Sequence, residues 1–305
     1  MSLSRPPLSR TSLWQKLPEG LIAGTFAYLC WGFFPVYFKM TAEVGPLEVL
    51  AHRVVWSLPF GLLIIWFRNQ WQEIGKAFKS KKVLYLLTIS AFSMTVNWGV
   101  YIWAVQDSHV FQASLGYYIN PLMYMMVGVI FFGEKMTRTQ GAAIVLAALG
   151  VAILTLYGGV FPSISMILAI SFTIYGVIRK QVEIGAMPGL LIEVLILFLP
   201  ALGYLLYLNH TGLLSFAHQG LKLDLLLIFA GPMTVIPLVL FAVAARKLPF
   251  ATIGFLQFIA PSLQFACGVY YGEVFTPAHA ICFSLIWLAV ILYIYGSARK
   301  YRLSK

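Results

Sequence analysis

Ten apolar runs, each about as long as a membrane-spanning helix, dominate the sequence. A helix that crosses a bilayer needs about 20 apolar residues, and only 10% of the 305 residues are charged, against about 25% in a soluble domain. The sequence therefore predicts an all-α membrane protein with ten transmembrane helices. The predicted spans are 20–40, 46–67, 83–105, 110–132, 138–157, 162–179, 188–208, 224–245, 250–271 and 278–297.

The positions of the basic residues orient these spans. The net charge of +11 would favour nucleic acid as a partner of a soluble protein, but here the lysines and arginines lie between apolar runs. If the N-terminus is cytoplasmic, the inside segments hold 18 of the 21 basic residues, as expected for a multi-pass membrane protein. We therefore expect both termini to be cytoplasmic and no nucleic-acid partner.

Two segments of the sequence are nearly the same. SLGYYINPLMYMMVGVIFFGE (114–134) and LQFIAPSLQFACGVYYGE (256–273) share an aromatic-Ile-x-Pro motif, an apolar stretch and an aromatic-Gly-Glu end. Their offset is about half the chain, which indicates an internal duplication of the kind found in transporters. Ten spans then divide into two five-helix repeats, at 20–157 and 162–297, flanked by cytoplasmic tails at 1–19 and 298–305. An odd number of spans per repeat inverts the second copy in the membrane and places a site near the midplane.

The sequence resembles the drug/metabolite transporter superfamily, in its EamA-type branch, and within that branch the RarD, or chloramphenicol-sensitive, family. The resemblance covers about 20–297. The segments that carry it are AYLCWGFFPVYFK (27–39), EVLAHRVVWS (48–57), NWGVYIWAV (97–105), ASLGYYINPLMY (113–124), MTVIPLVLFAVAARKL (233–248) and GFLQFIAPSLQF (254–265). The resemblance implies a ten-helix inner-membrane exporter or permease for small organic solutes.

Three of the ionisable residues within predicted spans are candidates for function, since a charge there is costly and commonly functional. Arg53 in span 2 either binds an anionic substrate group or locks two helices together, and Glu48 is close enough along the helix to be its partner. Glu193 in span 7 is a candidate for proton coupling or a counter-ion of Arg53, and His52 is a second candidate for proton coupling. The alternative for Glu193 is a cytoplasmic-leaflet group solvated by lipid headgroups, and the alternative for His52 is a hydrogen-bonded structural group near the interface.

Polar and aromatic side chains on single helix faces predict an amphipathic cavity for a small organic molecule. The alternative is that the aromatic residues form interfacial belts and the amides join helices. The cavity candidates are Trp31, His52, Arg53, Asn97, Trp98, Tyr101, Tyr118, Asn120 and Gln257.

Proline and glutamate residues recur at equivalent places in the two repeats. Pro121 and Pro261 interrupt spans 4 and 9, so we interpret them as paired hinges, with a static kink as the alternative. Glu134 and Glu273 are expected to cap helices or pair loops.

These features predict a secondary transporter that moves a small organic solute by alternating access, and not an enzyme. A passive channel and an intramembrane enzyme are the alternatives, weakened by bulky aromatics in the polar stripes and by the few ionisable groups. No cofactor or metal is expected, since the cysteines Cys30, Cys267 and Cys282 lie in apolar runs without ligand spacing. The expected partners are the substrate and the lipid bilayer, and a homodimer remains open.

Overall fold

The computed structural model describes residues 10–133, 136–159, 161–248, 252–253 and 256–303, with no side-chain detail for 10–18, 132, 245–246 and 297–303. The described residues are 85% helical, and no strand occurs among them. The helices are α1 (Arg10–Gly32), α2 (Phe34–Met40), α3 (Pro46–Arg68), α4 (Trp71–Phe78), α5 (Lys81–Gln106), α6 (Val110–Phe132), α7 (Arg138–Gly158), α8 (Ser163–Gln181), α9 (Ala186–Thr211), α10 (Leu221–Lys247), α11 (Ile259–Tyr270) and α12 (Pro277–Leu303). The prediction of an all-α protein is confirmed for this part of the chain.

Nine segments within the described ranges are long and apolar enough to cross a membrane. They correspond to every predicted span except 250–271. The first of them, Glu19–Met40, joins the end of α1 to α2 across a break at Phe33, next to Pro35. In the region 250–271 the described helix is α11, of 12 residues, so a tenth span stays a prediction.

Short-range signals in the sequence set the helix ends. Pro46 occupies the first turn of α3, where its missing N–H is not needed. Thr137 and Gln140 form a reciprocal capping box at the start of α7. Helix α6 ends at Gly133 with φ 64°, a conformation that glycine adopts without strain. These caps allow linkers of a few residues, so neighbouring long helices run antiparallel.

One short helix lies in the linker between predicted spans 2 and 3. Helix α4 buries Ile74 and Ala77 while Trp71 and Phe78 stay exposed. Its Glu73 carboxylate accepts a hydrogen bond from the Gly185 N–H at 3.1 Å. The linker after α3 is therefore tied to the linker between α8 and α9.

The main helix pairs of the bundle join the two halves of the chain. Helix α1 packs on α10 and α11, α3 on α9 and α10, α5 on α8, and α6 on α8 and α11. Helices α7 and α12 form a further extensive pair. The core between the helices of the two halves is therefore shared, with α3, α5, α9 and α10 around its centre.

Close packing of α3 on α10 depends on Gly231. A Cβ at this position would lie 2.5 Å from the carbonyl carbon of Trp56 and closer still to its oxygen. We expect Gly231→Ala to destabilise the protein by about 1–3 kcal/mol, the usual cost of overpacking, because backbone must move. Gly203→Ala in α9 is the matched control, since a Cβ there meets nothing within 4 Å. Thermal unfolding in detergent measures both, and equal unfolding midpoints would contradict the prediction.

Candidate functional site

Arg53 lies in the shared core, on the eighth residue of α3, and is 5% exposed. Its Nε donates a hydrogen bond to the Thr234 hydroxyl on α10 at 2.7 Å. The face of Trp98 on α5 lies against the guanidinium, with 4.1 Å between Cζ and the ring centre. A guanidinium over an indole face gains cation–π attraction, so these contacts fix the plane of the side chain.

Further aromatic rings surround this position. Phe34 and Phe38 of α2 lie 5.4 and 5.9 Å from the Arg53 Cζ. The ring of Tyr101 on α5 packs 5.8 Å from Phe38, and its buried hydroxyl has no hydrogen-bond partner among the described residues. Arg53, Thr234, Trp98, Phe34, Phe38 and Tyr101 are called the Arg53 cluster below. Four helices, α2, α3, α5 and α10, supply it.

Glu48 is not the partner of Arg53. Its buried carboxylate accepts hydrogen bonds from the Ser215 N–H at 2.8 Å, the Ser215 hydroxyl at 3.0 Å and the Phe216 N–H at 3.3 Å. The Nε2 of His52 lies 3.8 Å from this carboxylate, and its ring packs 5.0 Å from that of Phe216. Glu48 and His52 thus hold the linker between α9 and α10 onto the start of α3. Among the described residues, no carboxylate oxygen lies within 4 Å of the Arg53 guanidinium.

Glu193 occupies the eighth position of α9 and is 3% exposed. The Ser90 hydroxyl on α5 donates to its carboxylate at 2.6 Å, and the Arg179 Nη1 on α8 lies 3.8 Å away. Arg179 also donates to the carbonyls of Gly185 and Ala186. Glu193 is therefore paired with Arg179, at the α8–α9 end of the bundle.

The amides Asn97 and Asn120 are buried in different surroundings. Asn97 donates to the Leu168 carbonyl at 3.0 Å and the Ser171 hydroxyl at 3.1 Å, and it accepts from the Tyr117 hydroxyl at 3.1 Å. It joins α5 to α6 and α8, one helix turn from Tyr101. The Asn120 Oδ1 on α6 is buried without a hydrogen-bond partner among the described residues.

The remaining predicted residues lie further along the bundle. Trp31 packs against Tyr28 and Phe241, with ring centres 5.2 and 5.8 Å away. Tyr118 shares a 2.7 Å hydrogen bond with the Ser262 hydroxyl, and Gln257 lies in a turn before α11. The structure thus brings Arg53, Trp98 and Tyr101 together and places Trp31, Tyr118 and Gln257 with other neighbours.

The two predicted hinge prolines lie within helices α6 and α11. Pro121 is inside α6, and Pro261 is in the first turn of α11. The carbonyl of Pro261 accepts a 2.8 Å hydrogen bond from the Ser114 hydroxyl. A polar contact between α6 and α11 therefore forms at one of the two prolines.

Glu273 caps a helix, as expected from its position after the second repeat motif. Its carboxylate accepts hydrogen bonds from the N–H groups of Val110 and Phe111 at the start of α6, a favourable place for a negative charge. Burial raises the pKa of Glu273, and the two N–H donors oppose that rise. Glu134 lies outside the described residues.

A cavity of about 580 Å³ lies beside Glu273, between the start of α6, the end of α7 and the start of α12. Its lining includes His109, Gln112, Tyr157 and His279. None of the residues of the Arg53 cluster lines this cavity.

Thr234, Ser90 and Arg179 are not among the site residues predicted from the sequence. Thr234 and Ser90 are single hydroxyls in long apolar runs, which commonly bond to their own helix backbone. Arg179 was counted among the basic residues that mark a cytoplasmic linker. The repeat does give a sequence signal for the two buried charges. Arg53 and Glu193 occupy the same position in the equivalent helices α3 and α9.

Comparisons with known proteins show a family for this chain. The EamA-like transporter family matches residues 18–156. "Protein RarD" of Streptomyces exfoliatus is 40% identical over 94% of this chain and 91% of its own length, and "Protein RarD" of Escherichia coli is 36% identical over 90% and 94%. "Chloramphenicol-sensitive protein RarD" of Pseudomonas aeruginosa is 30% identical over 93% and 96%. A solved crystal structure shares the fold with a TM-score of 0.55 at 18% identity, over 93% of this chain and 98% of its own.

Proposed function

The chain belongs to the RarD group of the EamA-like transporter family, and on this premise we propose that it is a secondary transporter of a small organic solute. It is a multi-pass membrane protein, and we place it in the bacterial inner membrane because its relatives are bacterial. Movement by alternating access needs a bundle that can open to either side around one central site.

The proposed bundle has ten spans in two inverted five-helix repeats, with both termini cytoplasmic. In these repeats α1 is equivalent to α8, α3 to α9, α5 to α10 and α6 to α11. If equivalent helices are exchanged, the pair α1–α10 becomes α5–α8, α3–α10 becomes α5–α9, and α1–α11 becomes α6–α8. All six pairs are in contact. Gly32 of α1 faces Leu263 of α11, and Gly176, its counterpart in α8, faces Tyr124 of α6. This exchange of equivalent contacts supports the repeat.

The observation that carries the proposal is the pair of buried charges at equivalent positions. Arg53 in the first repeat bonds to Thr234 in the second, and Glu193 in the second bonds to Ser90 in the first. Both contacts therefore cross between repeats and change when one repeat rocks against the other. Buried ionisable groups in a bundle interior commonly mark the transport pathway.

The proposed cavity lining keeps the residues predicted from the sequence. Arg53, Trp98 and Tyr101 form its centre, and Asn97 and His52 lie beside it. Trp31, Tyr118, Asn120 and Gln257 come to line it as the bundle opens, with Pro121 and Pro261 as the hinges.

Proteoliposomes loaded with a bacterial metabolite extract test this function. We expect at least one small solute to leave the lumen unchanged in mass, with saturable kinetics and with counterflow from the opposite side. Loss without saturation or counterflow would favour a channel, and a change in solute mass would favour an enzyme. Liposomes containing heat-denatured protein provide the background.

Proton coupling through Glu193 or His52 is the proposed energy source. An imposed pH gradient should accelerate transport by the parent several-fold, and Glu193→Gln, which cannot release a proton, should remove that acceleration. Glu183→Gln, in the linker before α9, is the matched control. Equal rates with and without the gradient in the parent would exclude coupling.

A further inference from the structure

We propose that the Arg53 cluster is an anion subsite that takes the carboxylate of a small organic monoanion with an apolar body. The inference rests on the proposed transport function, since it names the substrate class of the same cavity. Three features of the cluster support it: the unused Nη donors of Arg53, the unbalanced charge of Arg53, and the aromatic surface around the guanidinium.

Arg53 has hydrogen-bond donors that no described residue uses. A guanidinium carries five N–H groups, and the hydrogen bond that Arg53 makes to a described residue uses Nε. The four Nη hydrogens donate to no described acceptor. The two Nη groups form a planar fork that matches the two oxygens of a carboxylate.

The positive charge of Arg53 is not balanced by a nearby carboxylate among the described residues. Glu48, five residues away on α3, is occupied by Ser215 and Phe216, and Glu193 is occupied by Ser90 and Arg179. The positive charge of Arg53 therefore has no carboxylate within 4 Å among the described residues. One cation in a buried site balances one negative charge, which favours a monoanionic carboxylate over a phosphate dianion.

Aromatic side chains form the walls of the proposed subsite around Arg53. Trp98, Phe34 and Phe38 present aromatic surface around the guanidinium. Tyr101 is 2% exposed, and its hydroxyl has no partner among the described residues. An unpaired buried hydroxyl is unfavourable, and a carboxylate held by Arg53 would supply its acceptor. The apolar walls then accommodate the hydrocarbon part of the ligand.

Equilibrium dialysis of the purified protein tests the site without requiring transport. The probe is an equimolar mixture of phenylacetate, 3-phenylpropionate and 4-methylpentanoate with their primary amides, quantified by mass spectrometry. Because charge-assisted hydrogen bonds are the stronger ones, we expect retention of the acids to exceed that of the amides by about tenfold or more. Arg53→Gln should abolish the preference, and Arg68→Gln, at the other end of the same helix, should keep it.

Tyr101→Phe separates binding from folding. It removes a hydroxyl that bonds to no described residue, so the unfolding midpoint should not fall, while affinity for the acids should fall about threefold to tenfold. Tyr124→Phe is the control, because its hydroxyl donates to the Phe172 carbonyl at 2.9 Å and lies outside the cluster. Its affinity for the acids should equal that of the parent.

Three results would overturn the inference: equal retention of acids and amides by the parent, unchanged acid retention by folded Arg53→Gln, or no retention of any probe by the folded parent. Transport of neutral or cationic solutes alone would also remove it and leave the proposed function intact. Arg53-dependent retention of acids in a protein that moves no solute would support the site and remove the transport function.

Discussion

Glu48→Ala is expected to lower the free energy of unfolding by about 3 kcal/mol or more. The Glu48 carboxylate accepts three hydrogen bonds from Ser215 and Phe216, and its loss leaves two backbone N–H groups and a hydroxyl without their acceptor. We also expect the peptide covering 212–220 to exchange its amide hydrogens faster, because the linker between α9 and α10 loses its attachment to α3. Thermal unfolding in detergent and hydrogen exchange by mass spectrometry measure these effects.

Glu43→Ala is the matched control for this variant. Glu43 is exposed in the linker before α3, so its removal should change neither the unfolding midpoint nor the exchange of 212–220. If Glu48→Ala behaved like Glu43→Ala, the carboxylate would not hold the linker. Glu48→Gln should fall between the two, since an amide oxygen still accepts a hydrogen bond but carries no charge.

The long-range features of the fold follow from patterns that are themselves long. Apolar runs of about 20 residues predict helices in any context, because a bilayer requires satisfied backbone groups. Pro35 indicates a bend in the first span but not its position at Phe33. Helix α4 is not predicted from the sequence, because a segment of eight residues with both exposed and buried apolar side chains resembles a linker. The region 250–271 combines Pro, Gly and apolar residues, and the structure describes it in part.

The residue types of the candidate site are predictable from the sequence, but the pairings of its side chains are not. Arg53, Trp98 and Tyr101 are candidates in the sequence because a charge inside an apolar run is rare and polar aromatics share a helix face with an amide. Proximity along one helix suggested Glu48 as the partner of Arg53, yet side chains five residues apart point to different neighbours. Helices α9 and α10 meet α3 through tertiary packing, which sequence spacing does not encode, so the roles of Thr234 and Ser215 appeared only in the structure.

A sign reversal is expected when Glu193→Gln is made in two backgrounds. In the parent, the substitution removes a buried carboxylate that lies 3.8 Å from Arg179 and accepts from Ser90, so it should destabilise the protein or leave it unchanged. Arg179→Ala alone should cost about 3–5 kcal/mol, the usual effect of leaving a buried charge without its partner. In that background Glu193→Gln should stabilise the protein, because it removes the uncompensated charge.

The double-mutant cycle isolates the electrostatic coupling from the other contacts of Arg179. Arg179 also donates hydrogen bonds to the carbonyls of Gly185 and Ala186. These bonds are lost both in Arg179→Ala and in the double variant with Glu193→Gln, so their contribution cancels in the coupling energy. Ser90→Ala removes a hydroxyl donor and no charge. In a Ser90→Ala background, Glu193→Gln should therefore not become stabilising. Destabilisation by Glu193→Gln in both backgrounds would show that the contact is a hydrogen bond to Ser90 alone. The link between α8, α9 and α5 would then not depend on charge, and neither would its opening during transport.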